Sequence, residues 1–280
     1  MTPVREGWSI GVVIPAHDEA ATIGACIANV RRSLGAATFA DAAVVVVADR
    51  CRDRTADAAR TALGADGTVI DTTAGNVGTA RRVGTGRVLH DLRRRRRGLR
   101  HDHTWLLATD ADTLVPVDWV RSHLCLAEAG ATGVAGIVHV DTFAEHHASV
   151  ADAFTRTYAF HDDGSHPHVH GANLGVRADA YLSVGGWPEL DTAEDHALWS
   201  RLRNDGWPTV SSIEARVTTS GRLVGRAPEG FAGHLGSLAS PVPAAAAAPS
   251  RAHSVVTSLS RATTTHRDPA PDAAAATVPS

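Results

Sequence analysis

The chain has 280 residues, 44% hydrophobic and 20% charged, with a formal net charge of −3. This composition suits a soluble protein with one sizeable core, and the small negative charge speaks against a nucleic-acid partner. All 27 basic residues are arginine, which excludes a Schiff-base lysine, a GxxxxGK[ST] phosphate loop and a kinase-type phosphate lysine.

The N-terminal stretch has no uninterrupted apolar region ahead of a small-residue cleavage site, so no signal peptide is expected. No apolar run is long enough to span a membrane. Cys26, Cys51 and Cys125 lie far apart without a CxxC pair, which signals neither a zinc ribbon nor a disulfide framework and fits a reducing cytoplasm. Ile10–Ile14 is a continuous apolar run closed by Pro15, the pattern of a buried parallel strand. Ile23, Ile27, Val30 and Leu34 then recur at helical spacing, with Asp18 and Glu19 where a helix N-terminus favours negative charge. Val44–Val47 reads as a second strand, Asp53–Leu63 as a helix, Thr68–Ile70 as a third strand and Thr79–Leu92 as a helix. Trp105–Ala108 is a fourth strand that runs directly into Thr109-Asp110-Ala111-Asp112. A helix at Val117–Ala129, a strand at Val134–Val140 and helices at Glu145–Ala159 and Glu194–Asp205 follow. Alternating strands and helices predict an α/β fold, a mostly parallel, Rossmann-like sheet flanked by helices on both faces. After about Leu238 the composition shifts to Ala, Ser, Thr and Pro, too poor in large apolar groups to offset the entropy of ordering. The expected organisation is a single domain over 1–238 and a disordered tail over 239–280.

Ligands of open α/β sheets bind outside the carboxyl ends of the strands. Those ends carry Pro15-Ala16-His17-Asp18-Glu19, then Asp49-Arg50-Cys51-Arg52-Asp53, then Gly75-Asn76-Val77-Gly78-Thr79-Ala80-Arg81, then Asp110-Ala111-Asp112. A single strand-end Asp is usually a turn residue; four polar ends in succession point to a site. In an extended segment Asp110 and Asp112 project the same way, so both carboxylates can converge on a hard cation such as Mg²⁺ or Mn²⁺. Glu194-Asp195 opens an amphipathic segment with Leu198 and Leu202 on one face. Either the pair caps the helix, or one carboxylate points into the cleft as a general base. The glycines of Gly171-Ala172-Asn173-Leu174-Gly175 and Gly185-Gly186-Trp187 fit both a turn and a close approach to ligand.

In this order the motifs IPAHDE (14–19), VVVVADRCRDRT (44–55), GNVGTARRVG (75–84), ATDADTLVP (108–116), HGANLGVRADAYLSVGGW (170–187) and AEDHALWSRL (193–202) resemble the family 2 glycosyltransferases of the GT-A fold. The resemblance spans residues 9–226. It implies a glycosyltransferase, metal-dependent and inverting, that moves one sugar from a nucleotide-sugar, a UDP-sugar favoured, to a hydroxyl on a small-molecule or lipid-linked acceptor. Pro15, Ala16 and Glu19 would line the nucleotide pocket, and Asp49 would accept a hydrogen bond from the base. Arg81 would reach the base or diphosphate, and Asp112 would be the main ligand of Mg²⁺ or Mn²⁺. Asp110 and Ala111 would belong to the nucleotide-sugar site, with Asp110 contacting ribose or metal-bound water. Asp195 would be the catalytic base, Glu194 a neighbouring acceptor or sugar contact, and Gly171 and Asn173 part of the donor site. Ala48 stands where relatives often carry an acid. The QxxRW motif and membrane spans of processive members are absent from this sequence, which predicts single transfers.

Three features stand outside this pattern. Arg93–Arg97 is either a solvated helix end or a peripheral contact with the anionic inner face of a membrane. His161, His166, His168 and His170 lack the spacing of a structural zinc site and read as an acceptor loop, with His170 near the reaction centre. Arg222 and Arg226 either close over the diphosphate or are surface residues. Rival readings fare worse. A Rossmann dehydrogenase needs GxGxxG after the first strand, and a sugar nucleotidyltransferase wants a glycine-rich N-terminal loop and a lysine. A non-catalytic nucleotide-sugar-binding relative has no reason to keep Asp112 and Asp195.

Overall fold

The computed structural model describes residues 7–222 apart from 148 and 159. Expectations for Arg226 and for the 239–280 tail lie outside the described residues. An eight-stranded sheet runs in the order β3-β2-β1-β4-β7-β6-β8-β5. Its strands are β1 (Ser9–Ala16), β2 (Asp41–Asp49), β3 (Gly67–Thr72), β4 (Thr104–Ala108), β5 (Thr113–Leu114), β6 (Gly133–Val140), β7 (Leu174–Arg177) and β8 (Thr209–Thr219). The pairs β1–β2, β1–β4, β2–β3 and β6–β8 are parallel, whereas β7 runs antiparallel to both β4 and β6, and β5 antiparallel to β8.

The two faces of the sheet follow from side-chain alternation. Ile10, Val12 and Ile14 of β1 and Val44 and Val46 of β2 face one layer of helices. That layer holds α1 (Ile23–Gly35) with Ile23, Ile27 and Val30, α2 (Thr55–Leu63) with Ala59 and Leu63, and α4 (Trp119–Glu128) with Trp119 and Leu124. Val13, Val45, Val47 and Leu106 face the other layer. It is built by α3 (Val77–Arg95) with Val88 and Leu92, α6 (Ala178–Ser183) with Tyr181, and α7 (Glu194–Asn204) with Leu198 and Leu202. A strand buried on both sides needs apolar residues at every position. That is why β1 and β2 read as unbroken apolar runs. A further helix, α5 (Ser149–Thr157), sets Phe154 and the following Tyr158 against Ile137. No described helix is long and apolar enough to cross a membrane.

Several expectations shift. Pro15 does not close β1, which continues to Ala16. Thr109 N–H donates to Val13 O, so Pro15, of the same parity, turns its missing N–H toward β4 at a level where β4 has already ended. Asp18 and Glu19 lie in the loop before α1, whose first turn holds no acid. The helix α3 extends into the arginine run as far as Arg95. Four elements, β5, β7, β8 and α6, have no counterpart among the expected ones.

Candidate active site

The chain leaves β1 to build β2 and β3 on one side and then crosses to β4 on the other, so a crevice opens between the carboxyl ends of β1 and β4. Six carboxylates gather around it: Glu19 after β1, Asp49 at the end of β2, Asp110 and Asp112 after β4, and the Glu194-Asp195 pair at the start of α7, of which Glu194 is the more buried.

Arg81, on the first turns of α3, links the two acidic motifs. It is 3% exposed. Its Nη1 donates to Glu194 Oε1 and its Nη2 donates to Asp110 Oδ1 at 2.5 Å. The guanidinium lies over the Trp187 ring, 5.2 Å from the centroid. One planar cation thus joins the β4 turn to the N-terminus of α7. Arg81, expected to reach the base or diphosphate, here pairs with two carboxylates, and Glu194, expected as a neighbouring acceptor or sugar contact, is the buried acceptor of that arginine.

Asp195 is only partly buried. Its Oδ2 accepts from Gly171 N–H at 2.7 Å and its Oδ1 from His196 N–H at 2.7 Å. A carboxylate has about four lone-pair sites, so both oxygens keep capacity toward a hydroxyl. The preceding Ala193 takes a left-handed φ of 58°, which turns the helix start inward. Gly171 must be glycine, because a Cβ there would collide with the Arg81 guanidinium. Beside it, burial holds the His170 imidazole down to about 4 despite the opposing pull of Asp195. The His168 ring stacks on Tyr158 at 4.0 Å between centroids and lies 6.1 Å from His170. Tyr158 is anchored by the Val138 N–H, which donates to its Oη at 2.9 Å.

Asp112 is 12% exposed, and burial, reinforced by Asp110, pushes its carboxyl up to about 6. Arg222 opposes that shift, with Nη2 2.9 Å from Asp112 Oδ2 and Nη1 2.6 Å from Glu19 Oε1. Glu19, 6% exposed, also accepts from Thr22 Oγ1, and its N–H donates to Thr55 Oγ1. Thr219 Oγ1 approaches Asp112 Oδ1 at 3.4 Å. Crowded carboxylate oxygens in a low-dielectric setting are the donor set a hard divalent cation takes. Asp112, with Glu19 beside it, therefore fits Mg²⁺ or Mn²⁺. Ala111 between the two aspartates is buried in the core.

Asp49 accepts from Gly75 N–H with both oxygens, at 3.1 and 2.9 Å, and His17 Nδ1 donates to its main-chain oxygen at 2.6 Å. It lies at the β2 end, with Pro15 and Ala16 on neighbouring β1. Asn173 does not join the cleft. It is fully buried: Oδ1 accepts from Trp119 Nε1 and His123 Nε2, and Nδ2 donates to Ile137 O and Ala215 O. Every amide atom is committed to the core, so the expected donor contact is replaced by a post beneath the 171–173 turn. Among the described residues one His/Cys/Asp/Glu triple has ligand atoms within 4.8 Å of each other, Asp18, Cys51 and Asp53. Asp18 already accepts from the Arg52 and Asp53 N–H groups, and Asp53 from those of Ala20 and Thr55, so the two acids tie the turn after β1 to the turn after β2.

Two partners escaped sequence reasoning. Trp187 beneath Arg81 carries no signal beyond its Gly-Gly-Trp setting. The pairing of Arg222 with Glu19 and Asp112 joins segments with no local pattern in common.

The model of the family described as glycosyltransferase like family 2 matches residues 7–231. The chain belongs to this family. No curated protein matches it. Among solved structures, glycosyltransferase-like family 2 is joined by proteins of the same GT-A architecture. TarS 1–349 of S. aureus is 15% identical with a TM-score of 0.54, over 76% of this chain and 60% of that one. The mannosyltransferase PcManGT of Pyrobaculum calidifontis, in complex with GDP-Man and Mn²⁺, is 20% identical with a TM-score of 0.51, over 77% and 58%. GalNAc-T7 with UDP, GalNAc and Mn²⁺ is 13% identical with a TM-score of 0.55, over 78% and 45%. The family 2 chain thus spans about three fifths or less of the length of these neighbours, and at such identities the likeness is one of fold.

Proposed function

We propose that the protein transfers a single sugar from a nucleotide-sugar, a UDP-sugar favoured, to a hydroxyl acceptor with inversion at the anomeric carbon. The observation that carries this reading is Arg81, which holds the Asp110–Asp112 turn and the Glu194–Asp195 helix start on one cleft. Neighbours crystallised with UDP-GlcNAc, GDP-Man and Mn²⁺ support a nucleotide-sugar donor and a divalent cation. Asp49, Pro15 and Ala16 bind the base, and Asp112 with Glu19 holds Mg²⁺ or Mn²⁺. When bound, the cation supplies positive charge against the leaving diphosphate. Asp195, steadied by Gly171 N–H, takes the proton of the acceptor hydroxyl. The acceptor oxygen then bonds to the anomeric carbon from the face opposite the phosphate, and the electron pair of the broken bond leaves with the diphosphate. The 158–170 segment, with its stacked Tyr158 and His168, forms the acceptor side.

The test is nucleotide release across UDP-, GDP- and TDP-sugars with and without Mn²⁺. Asp195→Asn should keep donor binding by calorimetry and lower turnover by roughly 10²- to 10⁴-fold. Normal turnover in that variant would remove Asp195 from the chemistry, and UDP binding without any release would leave a binding protein.

Arg95 and Arg96 donate to Ala42 O and Gly7 O, near the amino ends of β2 and β1. The arginine run is therefore at the far end of α3 from Arg81, separated by roughly 20 Å of helix. A membrane contact there orients the molecule on an anionic surface and does not hold the acceptor. Liposome pelleting that is insensitive to salt and to acidic lipid would count against it.

A further inference from the structure

Glu19, Asp110, Asp112 and Glu194 are balanced by two guanidinium groups, each bridging a pair. Arg81 serves Asp110 and Glu194, and Arg222 serves Glu19 and Asp112. Among the described residues these four acids outnumber the two guanidinium groups, so added or redirected positive charge favours entry of an anionic diphosphate. Arg81 is locked on Trp187 and against Gly171. Arg222 is set up differently. Its side chain is 25% exposed, while the backbone just before it is clamped. Gly221 N–H donates to Asp141 Oδ1 at 2.8 Å, and His146 Nε2 donates to Gly221 O at 2.7 Å. A Cβ at Gly221 would collide with Thr142 O. The mount is fixed and the guanidinium is on a flexible stem, so it can change partner without moving the chain.

We propose that Arg222 and a divalent cation are exchangeable counter-ions of the Glu19–Asp112 pair, and that the exchange hands the Arg222 guanidinium to the diphosphate. A cation that takes carboxylate oxygens of Glu19 and Asp112 removes the acceptors Arg222 now uses. The released guanidinium then meets the nearest anion, and a planar fork suits phosphate oxygens. The exchange stands on the ion pairs alone; the hand-over rests on the nucleotide-sugar reading above.

The experiment titrates the full chain with Mn²⁺ in the absence of nucleotide, following free Mn²⁺ by electron paramagnetic resonance. Arg222→Gln removes the competitor and should tighten Mn²⁺ binding about tenfold or more, the equivalent of one charge-assisted hydrogen bond. Arg222→Lys keeps the charge but offers one ammonium to two carboxylates, so its Mn²⁺ affinity should fall between those of the parent and Arg222→Gln. Asp112→Asn in the Arg222→Gln background should abolish the gain. Unchanged or weaker binding in Arg222→Gln, or a gain that survives Asp112→Asn, overturns the exchange. In a second arm, UDP is titrated calorimetrically at saturating Mn²⁺, where Arg222→Gln should weaken UDP about tenfold. Equal UDP affinity overturns the hand-over. If UDP binds neither protein, the nucleotide-sugar reading falls with it, while the exchange is still decided by the Mn²⁺ arm.

Discussion

Replacing Arg81 by glutamine would strand the Glu194 carboxylate in a buried site without its counter-charge. Breaking one side of a buried ion pair costs on the order of 3–5 kcal/mol, so Arg81→Gln should lower the urea midpoint steeply. Arg81→Lys should recover little, because one ammonium cannot serve two carboxylates and lie flat on Trp187. A near-parental midpoint in either variant would show that Glu194 finds another partner. The acids themselves were legible in the sequence, since DAD directly after an apolar run and ED before helical spacing are local patterns. The role of Arg81 was not. A guanidinium near a diphosphate site is read as a phosphate ligand unless the fold reveals carboxylates already on it.

The elements around Asn173 show what its amide does in place of binding. The β6–β8 ladder is continuous except between Gly136 and Ile137, where the partner jumps from Ser212 to Arg216. Asn173 Nδ2 donates to Ile137 O and Ala215 O at that break, satisfying carbonyls that the ladder leaves open. Asn173→Ala should therefore cost about 2–4 kcal/mol, since it also orphans the buried Trp119 Nε1–H. Because Gly171 stands on the same turn, turnover should fall while Mn²⁺ binding is retained. Chemical denaturation and a Mn²⁺ titration check the two parts, and loss of Mn²⁺ binding would place Asn173 in the donor site after all. The inner parallel strands were legible because burial on both faces demands unbroken apolar runs. The outer half was less so: β7 has four residues, β5 has two, and β8 intersperses buried Ser212, Ala215, Val217 and Thr219 with exposed Val210, Ile213, Glu214 and Arg216 in no regular alternation. The side of the sheet next to the proposed acceptor segment is thus the side with the weakest local signal.

For the whole molecule, acid should be destabilising on balance. Burial holds His123 and His170 down to about 4, against an ordinary 6.5. Both are neutral in the fold, while the unfolded chain protonates them as pH drops through 6.5, so stability is lost from there until about pH 4. Asp112 acts in the opposite sense. Its carboxyl is raised to about 6 from 3.8, so the fold takes up its proton first and gains stability across that interval. Two histidines outweigh one aspartate. The urea midpoint should fall from pH 7 to pH 4, and Asp112→Asn, which removes the opposing gain, should make the fall steeper. A midpoint that stays level over this range would mean the histidines are solvated.

The short β5–β8 pairing has a consequence for biosynthesis. Asp112 emerges from the ribosome next to a strand that can already pair with β1, but its two-residue neighbour β5 joins only Thr218 and Thr219, and its cation sits at 222. A nascent chain can therefore assemble β1 to β4 early, yet its acidic cleft must stay hydrated until nearly all of the described sequence has been made. Ribosome-stalled chains released before Thr218 should protect the amides of β1 and β2 from hydrogen exchange while leaving those of the Asp110–Leu114 turn open.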